Sequence, residues 1–293
     1  MNAPVEQIPS VNEIVEPVNR YFHNPMAKGI VEILKHTWVT PDQVTYTSIV
    51  VGLISAYYFS EGTMSSFFLA GLLLELVLIL DCVDGQLARA KECVSEWGRL
   101  LDGVAGYIIY LAVLIGIMLG LGQHYTVLTV IGVLTILRAI SYDYCKLTMI
   151  TMIQKGYDGN EREVSDTYVK ILNKPSGLLK IYFYYLQLQQ KIFTGQFTSL
   201  HQFGKKIDAD NKAGLLTPEQ REGYREKVGT LMTVWSWNGV DLPIFLLVLV
   251  SIFGALEFFL FPLVCLLAVQ FFFTMICHRV QMRSMLIIKG SNI

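Results

Sequence analysis

The chain has 293 residues, of which 53% are hydrophobic and 16% are charged, and its formal net charge is −1. Soluble globular domains carry nearer a quarter of charged residues, so the composition excludes an ordinary soluble domain and favours a membrane protein. The nearly balanced net charge says nothing by itself about partners. No nucleic acid is predicted among them.

The apolar residues are gathered in runs that are each long enough, or nearly so, to cross a hydrocarbon layer of roughly 30 Å. These runs lie near 44–59, 65–80, 104–121, 125–142, 239–256 and 258–277. They predict an all-α, polytopic membrane protein with six transmembrane helices, preceded by a juxtamembrane amphipathic helix.

The predicted organisation follows from these runs and from the polar stretches between them. In chain order it comprises a disordered N-terminus (1–25), an amphipathic surface helix (26–39), transmembrane helices 1–4 with a catalytic motif (40–147), a cytoplasmic insert (148–232), and transmembrane helices 5–6 with the C-terminus (233–293).

The start of the chain has two local signals. Residues 26–38 place Met26, Ile33 and Trp38 on one apolar stripe, which is typical of a helix lying on a membrane surface. Thr40 is followed by a proline and then by Gln43, the pattern of a capping box, so the first span is predicted to begin there.

The charges are distributed unevenly between the two sides of the predicted membrane. The turns at 61–66, 120–125 and 254–258 contain no Lys or Arg. The opposite side carries the basic residues, so the positive-inside rule places both termini, the motif and the insert in the cytoplasm. We expect the insert to be a cytoplasmic cap or a dimer contact, with its apolar stretch 177–193 on the membrane or against the bundle.

Acidic residues appear at the end of the second apolar run, where carboxylates are costly. Asp81, Asp84, Gly85 and Ala88 share one helical face, and Arg89 borders it. The two small residues allow a large or anionic ligand to approach the backbone closely, and the arginine is suited to a phosphate contact.

A matching face is predicted on the third span. Gly98, Asp102 and Gly106 are spaced four residues apart, and the short connection brings this face towards Asp81 and Asp84. Three neighbouring carboxylates need compensation, and oxygen-only ligands favour Mg²⁺ or Mn²⁺. The alternative is that these aspartates form interfacial salt bridges with neighbouring arginines.

The two stretches together resemble the signature of the CDP-alcohol phosphotransferase (CDP-alcohol phosphatidyltransferase) family. The family pattern is D-x-x-D-G-x-x-A-R, a spacer, and G-x-x-x-D-x-x-x-D; seven of its eight positions are matched by DCVDGQLAR at 81–89 and GRLLDGVAG at 98–106. The spacing and the predicted six spans match as well.

The resemblance implies an enzyme of phospholipid biosynthesis that acts as a homodimer among membrane lipids. Such an enzyme moves a phosphatidyl-type group from a CDP-alcohol, such as CDP-diacylglycerol, to a small hydroxyl acceptor and releases CMP. It implies two metal ions, held here by Asp81, Asp84 and Asp102, and a CDP site lined by residues of the motif. Those CDP-lining residues are Gly85, Ala88, Arg89 and Gly98.

The last family aspartate, to which metal ligation and proton acceptance are attributed, is Gly106 in this chain. Three interpretations follow. The enzyme is active and another group takes the proton, with Asp143 as one candidate. In the second interpretation, the protein is an impaired family member that binds CDP-lipid or metal without efficient turnover. In the third interpretation, the enzyme uses a different donor or a different number of metal ions. The glycine also suits close helix packing within 103–106.

Other polar residues have competing interpretations. Arg138 and Lys146 share a face of the fourth span and are candidates for binding an acceptor phosphate. Alternatively, Lys146 anchors the helix at the membrane interface and Arg138 pairs with Asp143. Asp42 is interpreted as a capping residue with a donor-binding alternative, and Asp241 as a helix-start charge that could instead line the acceptor pocket.

Two rivals come from other classes. One is a non-catalytic membrane protein that binds CDP-lipid or metal, motivated by Gly106. The other is a transporter, which would need broken helices or polar residues at mid-membrane. The acceptor is left open among glycerol phosphate, inositol phosphate, serine and simpler alcohols.

Overall fold

The computed structural model describes residues 11–175, 177–194 and 215–290, and this part of the chain contains helices and no strand. A 3-10 turn (Asn12–Ile14) and a π-helical turn (Asn19–His23) come first. The helices that follow are α1 (Asn24–Leu34), α2 (Pro41–Ser60), α3 (Met64–Ala90), α4 (Glu96–Leu121), α5 (Tyr125–Lys155), α6 (Gly159–Asn173), α7 (Gly177–Thr194), α8 (Pro218–Ser236), α9 (Asp241–Ile252) and α10 (Leu256–Gly290). The predicted all-α class is confirmed.

Within the described residues, five stretches of helix are long and apolar enough to cross a membrane, which confirms a multi-pass integral membrane protein. They are Met64–Ala90, Leu101–Leu121, Tyr125–Lys155, Pro218–Ile252 and Leu256–Gln281. The predicted count of six is not confirmed, because α2 is not among the five. Its first turns carry Asp42, Gln43 and Thr45, which dilute its hydropathy.

The N-terminal part differs from the predicted disorder of 1–25. From residue 12 the chain forms helical turns, and the side chains of Ile14 and His23 are completely buried. Burial of these groups explains why the segment is ordered. Residues 1–10 lie outside the described part. The predicted surface helix ends at Leu34 rather than at 39.

Helix α1 packs one narrow face against α3, and the rest of its surface is exposed. Ala27 and Val31 are buried together with residues of α2 and α3. Ile33 and Trp38 are 71% and 82% exposed. The exposed apolar stripe is the one predicted to face a membrane surface, and that role stays a prediction.

The described chain divides into two compact units, each described by itself. The first, called the motif unit, consists of Val15–Arg138 and Trp237–Ile276. The second, called the insert unit, consists of Met1–Ile14, Ala139–Ser236 and Cys277–Ile293, of which residues 11–14, 139–175, 177–194, 215–236 and 277–290 are described.

The core of the motif unit is an apolar cluster contributed by α2, α3, α4, α9 and the adjoining parts of α5 and α10. Phe59, Ile117 and Leu267 are among its fully buried members. The outward faces are apolar too: Phe258 and Phe261 on α10 are 82% and 68% exposed. Large exposed apolar faces on long helices are what a hydrocarbon surrounding requires.

Both α3 and α4 pack against α2, and they pack much less against each other. The start of α2 is fixed by the predicted capping box, which is confirmed: Thr40 Oγ1 accepts from the N–H of Gln43 at 3.3 Å. Gln43 Oε1 accepts in turn from the N–H of Thr40 at 3.0 Å.

Two glycines of α4 permit this close packing. A Cβ added to Gly116 would meet the carbonyl oxygen of Ala56, and one added to Gly120 would meet that of Phe59. Both contacts would be with backbone atoms of α2, which cannot move aside without shifting the helix. These glycines therefore fix the distance between α2 and α4.

We expect Gly116→Ala to destabilise the protein by about 1–3 kcal/mol, the usual cost of overpacking a filled core. Thermal unfolding in detergent measures the effect. Gly103→Ala on the same helix is the matched control, because a Cβ there meets nothing within 4 Å. Equal melting temperatures for the two variants would contradict the tight crossing.

The insert unit contains a small core between α6 and α7. Val164, Ile171 and Phe183 are buried there. The outer face of α7 is apolar and aromatic, with Ile181 68% exposed and Tyr184 50% exposed. The role of the insert as a cytoplasmic cap or a dimer contact stays a prediction. Helix α5 continues to Lys155 without a break at the predicted boundary of 147.

Candidate active site

The first half of the motif lies on the last turns of α3. Asp84 is 5% exposed, and its Oδ2 accepts a hydrogen bond from Thr45 Oγ1 of α2 at 2.6 Å. Asp81, one turn earlier, has an exposed side chain. The two carboxylates are therefore held differently: one is anchored to α2, and the other is accessible.

The second half of the motif lies on the first turns of α4. This helix is capped by Ser95, whose Oγ accepts from the N–H of Gly98 at 2.9 Å. The carboxyl groups of Asp102 and Asp81 lie within hydrogen-bonding distance of each other. The structure thus brings the acidic faces of α3 and α4 together, although α2 provides most of the packing for both helices.

The small residues of the motif keep space beside these carboxylates. A Cβ on Gly85 would lie 3.6 Å from a guanidinium nitrogen of Arg89, whose side chain is exposed. A Cβ on Gly98 would lie 3.5 Å from Oδ1 of Asp42. The carboxylate of Asp42 is therefore adjacent to the motif, and Thr40 performs the capping assigned to this turn.

Gly106 stands in open space. A Cβ at this position would meet no atom within 4 Å. Among the described glycines of α4, close packing belongs to Gly116 and Gly120 instead. The interpretation of Gly106 as a close-packing residue is therefore wrong within the motif unit, since no atom of the described residues lies within 4 Å of a Cβ built there.

The two predicted acceptor contacts have different surroundings. Arg138 is completely buried in the motif unit, and its guanidinium donates to the carbonyl oxygens of Trp237 at 2.8 Å and Leu267 at 3.2 Å. Lys146, in the insert unit, places its Nζ 5.0 Å from the ring centroid of Tyr142. Burial gives Arg138 a structural explanation, and its predicted role in acceptor binding remains untested.

A polar network inside the motif unit was not predicted. His23 Nδ1 lies 2.8 Å from Asn19 Oδ1, and His23 Nε2 lies 3.1 Å from Glu75 Oε1. Asn19 Nδ2 donates to Oδ2 of Asp241. Glu75 interrupts an otherwise apolar run, and an ionisable residue at that depth is a signal that could have identified the network.

The donor set fits a divalent cation chemically. Asp81 and Asp102 present adjacent carboxyl groups, with Asp84 one turn along α3, and hard oxygen donors of this kind suit Mg²⁺ or Mn²⁺. No ready-made cluster of three or more Asp, Glu, His or Cys side chains suited to a metal ion exists among the described residues. The carboxyl groups of Asp81 and Asp102 would therefore need further oxygen ligands, such as substrate phosphates, to complete the coordination of a cation.

Comparison with known proteins independently supports the resemblance to the CDP-alcohol phosphatidyltransferase family. The family model for CDP-alcohol phosphatidyltransferase matches residues 38–192. The archaetidylinositol phosphate synthase of Pyrococcus horikoshii is 34% identical over 110 residues, which cover 37% of this chain and 55% of that protein.

Two further relatives are described as bifunctional IPC transferase and DIPP synthase. The one from Thermococcus kodakarensis is 37% identical over 87 residues, covering 30% of this chain and 19% of that protein. The one from Rubrobacter xylanophilus is 29% identical over 108 residues, covering 37% of this chain and 24% of that protein. The chain spans about half of the first relative and a quarter or less of these two. Because the family match covers more than half of the chain and contains the whole motif, the protein belongs to the CDP-alcohol phosphatidyltransferase family.

Proposed function

We propose that the protein transfers a phospho-alcohol group from a CDP-alcohol, such as CDP-diacylglycerol, to a hydroxyl acceptor and releases CMP, as a step of phospholipid biosynthesis. The observation that carries this proposal is the contact between the carboxyl groups of Asp81 and Asp102 on two helices of the family motif. A lipid-linked nucleotide suits a site at the end of membrane helices, with its tails among lipids.

Different residues of the motif would bind different parts of the donor. Asp81 and Asp102, with Asp84, would hold one or two divalent cations. A divalent cation bound there supplies positive charge that neutralises the pyrophosphate of the donor and stabilises the leaving CMP. Arg89 would contact a phosphate of the donor, and the absence of a side chain at Gly85 and Gly98 would let the nucleotide lie close to the backbone.

The anchoring of Asp84 has a mechanical role in this proposal. Its hydrogen bond to Thr45 ties the end of α3 to α2, and Asp42 on the same helix lies against the start of α4. The first turns of α2 therefore position both halves of the motif. Loss of this helix start would displace the two halves of the site relative to each other.

The acceptor is the least defined component. One relative is named an archaetidylinositol phosphate synthase, so a phosphorylated inositol is the first acceptor to test, with glycerol phosphate, serine and inositol beside it. Lys146, beside Tyr142, is proposed as a contact for an acceptor phosphate. We also propose that the chain works as a homodimer, with the motif and both termini facing the cytoplasm.

The experiment measures CMP release by the detergent-solubilised full chain from CDP-diacylglycerol, with Mg²⁺ or Mn²⁺ and each acceptor in turn. We expect release with at least one acceptor, and loss of release when EDTA removes the cation. The competing proposal, an impaired family member, rests on Gly106. Binding of CDP-diacylglycerol without CMP release from any acceptor would support it and contradict the transferase.

A further inference from the structure

The last turns of α3 carry the motif residues on one face and anchoring residues on another. Asp81, Gly85 and Arg89 follow one another at intervals of four residues. A Cβ on Gly85 would lie 3.6 Å from a guanidinium nitrogen of Arg89, so this side chain folds back along that face. Asp84 and Lys91 are seven residues apart and therefore share a second face of the helix.

Lys91 ties the end of α3 to the connection between α1 and α2. Its Nζ donates to the carbonyl oxygens of Thr37 and Val39, both at 2.7 Å. These carbonyl groups lie just before Thr40, which caps α2. Hydrogen bonds from an ammonium group are stronger than those between neutral groups. The side chain of Lys91 therefore joins the end of one motif helix to the start of α2.

Gln86 ties a different side of α3 to the start of α1. Its Nε2 donates to Oδ1 of Asn24 at 2.9 Å and to the carbonyl oxygen of the same residue at 3.2 Å. Asn24 is the first residue of α1. Between the two anchors, Leu87 is completely buried in the cluster that includes Val31 of α1. Gln86 and Lys91 thus attach both ends of the segment formed by α1 and the following connection to the last turns of α3.

The chain turns sharply directly after Lys91. The N–H of Cys93 donates to the carbonyl oxygen of Ala88 at 3.0 Å, which closes the end of the helix. Glu92 has a φ of 53°, in the left-handed region that is unfavourable for a residue with a side chain. Because the turn contains no glycine, the two hydrogen bonds of Lys91 help to hold it, and with it the preceding turn that carries Arg89.

The segment to which these anchors attach is itself fixed within the motif unit. His23, at the end of the π-helical turn, is completely buried, and its Nε2 lies 3.1 Å from Oε1 of Glu75 on α3. Earlier in the chain, Oε2 of Glu16 accepts from the backbone N–H of Asp241 at 3.0 Å, which attaches the segment to the start of α9. The support is therefore held by α3 and α9 independently of the two anchors.

We propose that Lys91 and Gln86 are positioning residues for donor binding, which hold the last turns of α3 so that Arg89 and the backbone at Gly85 meet the pyrophosphate of the CDP-alcohol. This inference rests on the proposed function. It assigns a task to two side chains whose own hydrogen bonds are directed towards the segment around α1. Neither side chain needs to touch the donor.

The location of the anchors predicts which step they affect. Asp84 is bonded to Thr45 of α2 at 2.6 Å, so the earlier turn of α3 keeps a separate attachment when an anchor is lost. The later turn, with Arg89, depends on the anchors. Their loss should therefore weaken donor binding and leave the maximal rate unchanged, which is the kinetic signature of lost binding alone.

Lys91→Met is the first test, because methionine fills similar space and cannot donate to the two carbonyl oxygens. We expect the KM for CDP-diacylglycerol to rise by about 10-fold, the lower end of the range for residues that orient a binding group. The Kd from isothermal titration with Mg²⁺ present should rise in parallel. Lys91→Arg keeps a cationic donor and should restore most of the affinity.

The matched control is Lys35→Met, which removes the same charge from the end of α1. The Nζ of Lys35 donates to Oε2 of Glu32 at 2.6 Å and has no bond to α3 among the described contacts. It should leave the KM for CDP-diacylglycerol unchanged. An equal rise in this KM for Lys35→Met would assign the effect to charge alone and overturn the positioning role of Lys91.

Gln86→Leu separates positioning from a direct contact between Lys91 and a phosphate. It removes the second anchor without changing any charge, and we expect the same rise in KM with an unchanged maximal rate. Gln123→Leu, which removes a bond to Glu257 at the other end of α4, should behave like the wild type. A wild-type KM for Gln86→Leu beside a raised KM for Lys91→Met would indicate a direct phosphate contact and overturn the inference.

Melting temperatures in detergent complete the test. A lower melting temperature with a reduced maximal rate and an unchanged KM, in both anchor variants, would show support of the fold only and would contradict donor positioning. Wild-type KM values in both variants would contradict it as well. A wild-type chain that releases no CMP with any acceptor overturns the proposed function itself, an outcome distinct from an active chain that is indifferent to both anchors.

Discussion

Replacing Asp102 by Asn is expected to lower CMP release by about 100-fold to 1,000-fold or more, the range found when one preorganised electrostatic group is removed from an active site. The side chain keeps its size and loses its charge beside Asp81. The measurement is the rate of CMP release from CDP-diacylglycerol with the acceptor that the wild-type chain uses. Binding of Mn²⁺, followed by electron paramagnetic resonance, should weaken in parallel.

The control for this prediction is Asp166→Asn, which neutralises an exposed aspartate of α6 in the insert unit. It should leave both CMP release and Mn²⁺ binding unchanged. An Asp102→Asn variant with the activity and the Mn²⁺ affinity of the wild-type chain would refute the assignment of the motif as the cation site.

Replacing Arg138 by Met is expected to lower the free energy of unfolding by about 3–5 kcal/mol, the cost of removing one partner of a buried charged arrangement. The guanidinium is completely buried, donates to the carbonyl oxygens of Trp237 and Leu267, and interacts with the charge of Glu16. Methionine fills much of the space and supplies none of these donors. The melting temperature in detergent, followed by tryptophan fluorescence, measures the loss.

Lys28→Met provides the comparison, because it removes a positive charge from an exposed position of α1. Its melting temperature should equal that of the wild-type chain. If Arg138→Met melts like the wild type and shows only a raised KM for a phosphorylated acceptor, the arginine binds substrate rather than supporting the fold, which is one of the two interpretations of the sequence.

The local parts of this protein were predictable because their signals lie within a few residues. The capping box at Thr40 and the shared face of Asp81 and Asp84 depend only on helical spacing, and the structure contains both. The approach of Asp102 to Asp81 followed from a short connection between two helices. These inferences needed no knowledge of the rest of the fold.

The parts that were not predictable depend on distant residues. Glu16 and Asp241 are 225 positions apart, and Asn19 and Cys82 are 63 apart. No helical period connects such pairs, and Asn19 lies in a stretch that the sequence assigned to disorder. The packing of both motif helices against α2 could not be predicted for the same reason, since it depends on side chains that are distant in sequence.

The link between Glu16 and the start of α9 also bears on how the protein is made. At about 5–20 residues per second, a ribosome needs roughly 10–45 s to synthesise the 225 positions between them. During that interval the nascent N-terminal segment has not yet received its partners on α9, and its polar groups need water rather than hydrocarbon. The hydrogen bond between Glu16 and the N–H of Asp241 can therefore form only after α9 has been synthesised, so this part of the motif unit is completed late.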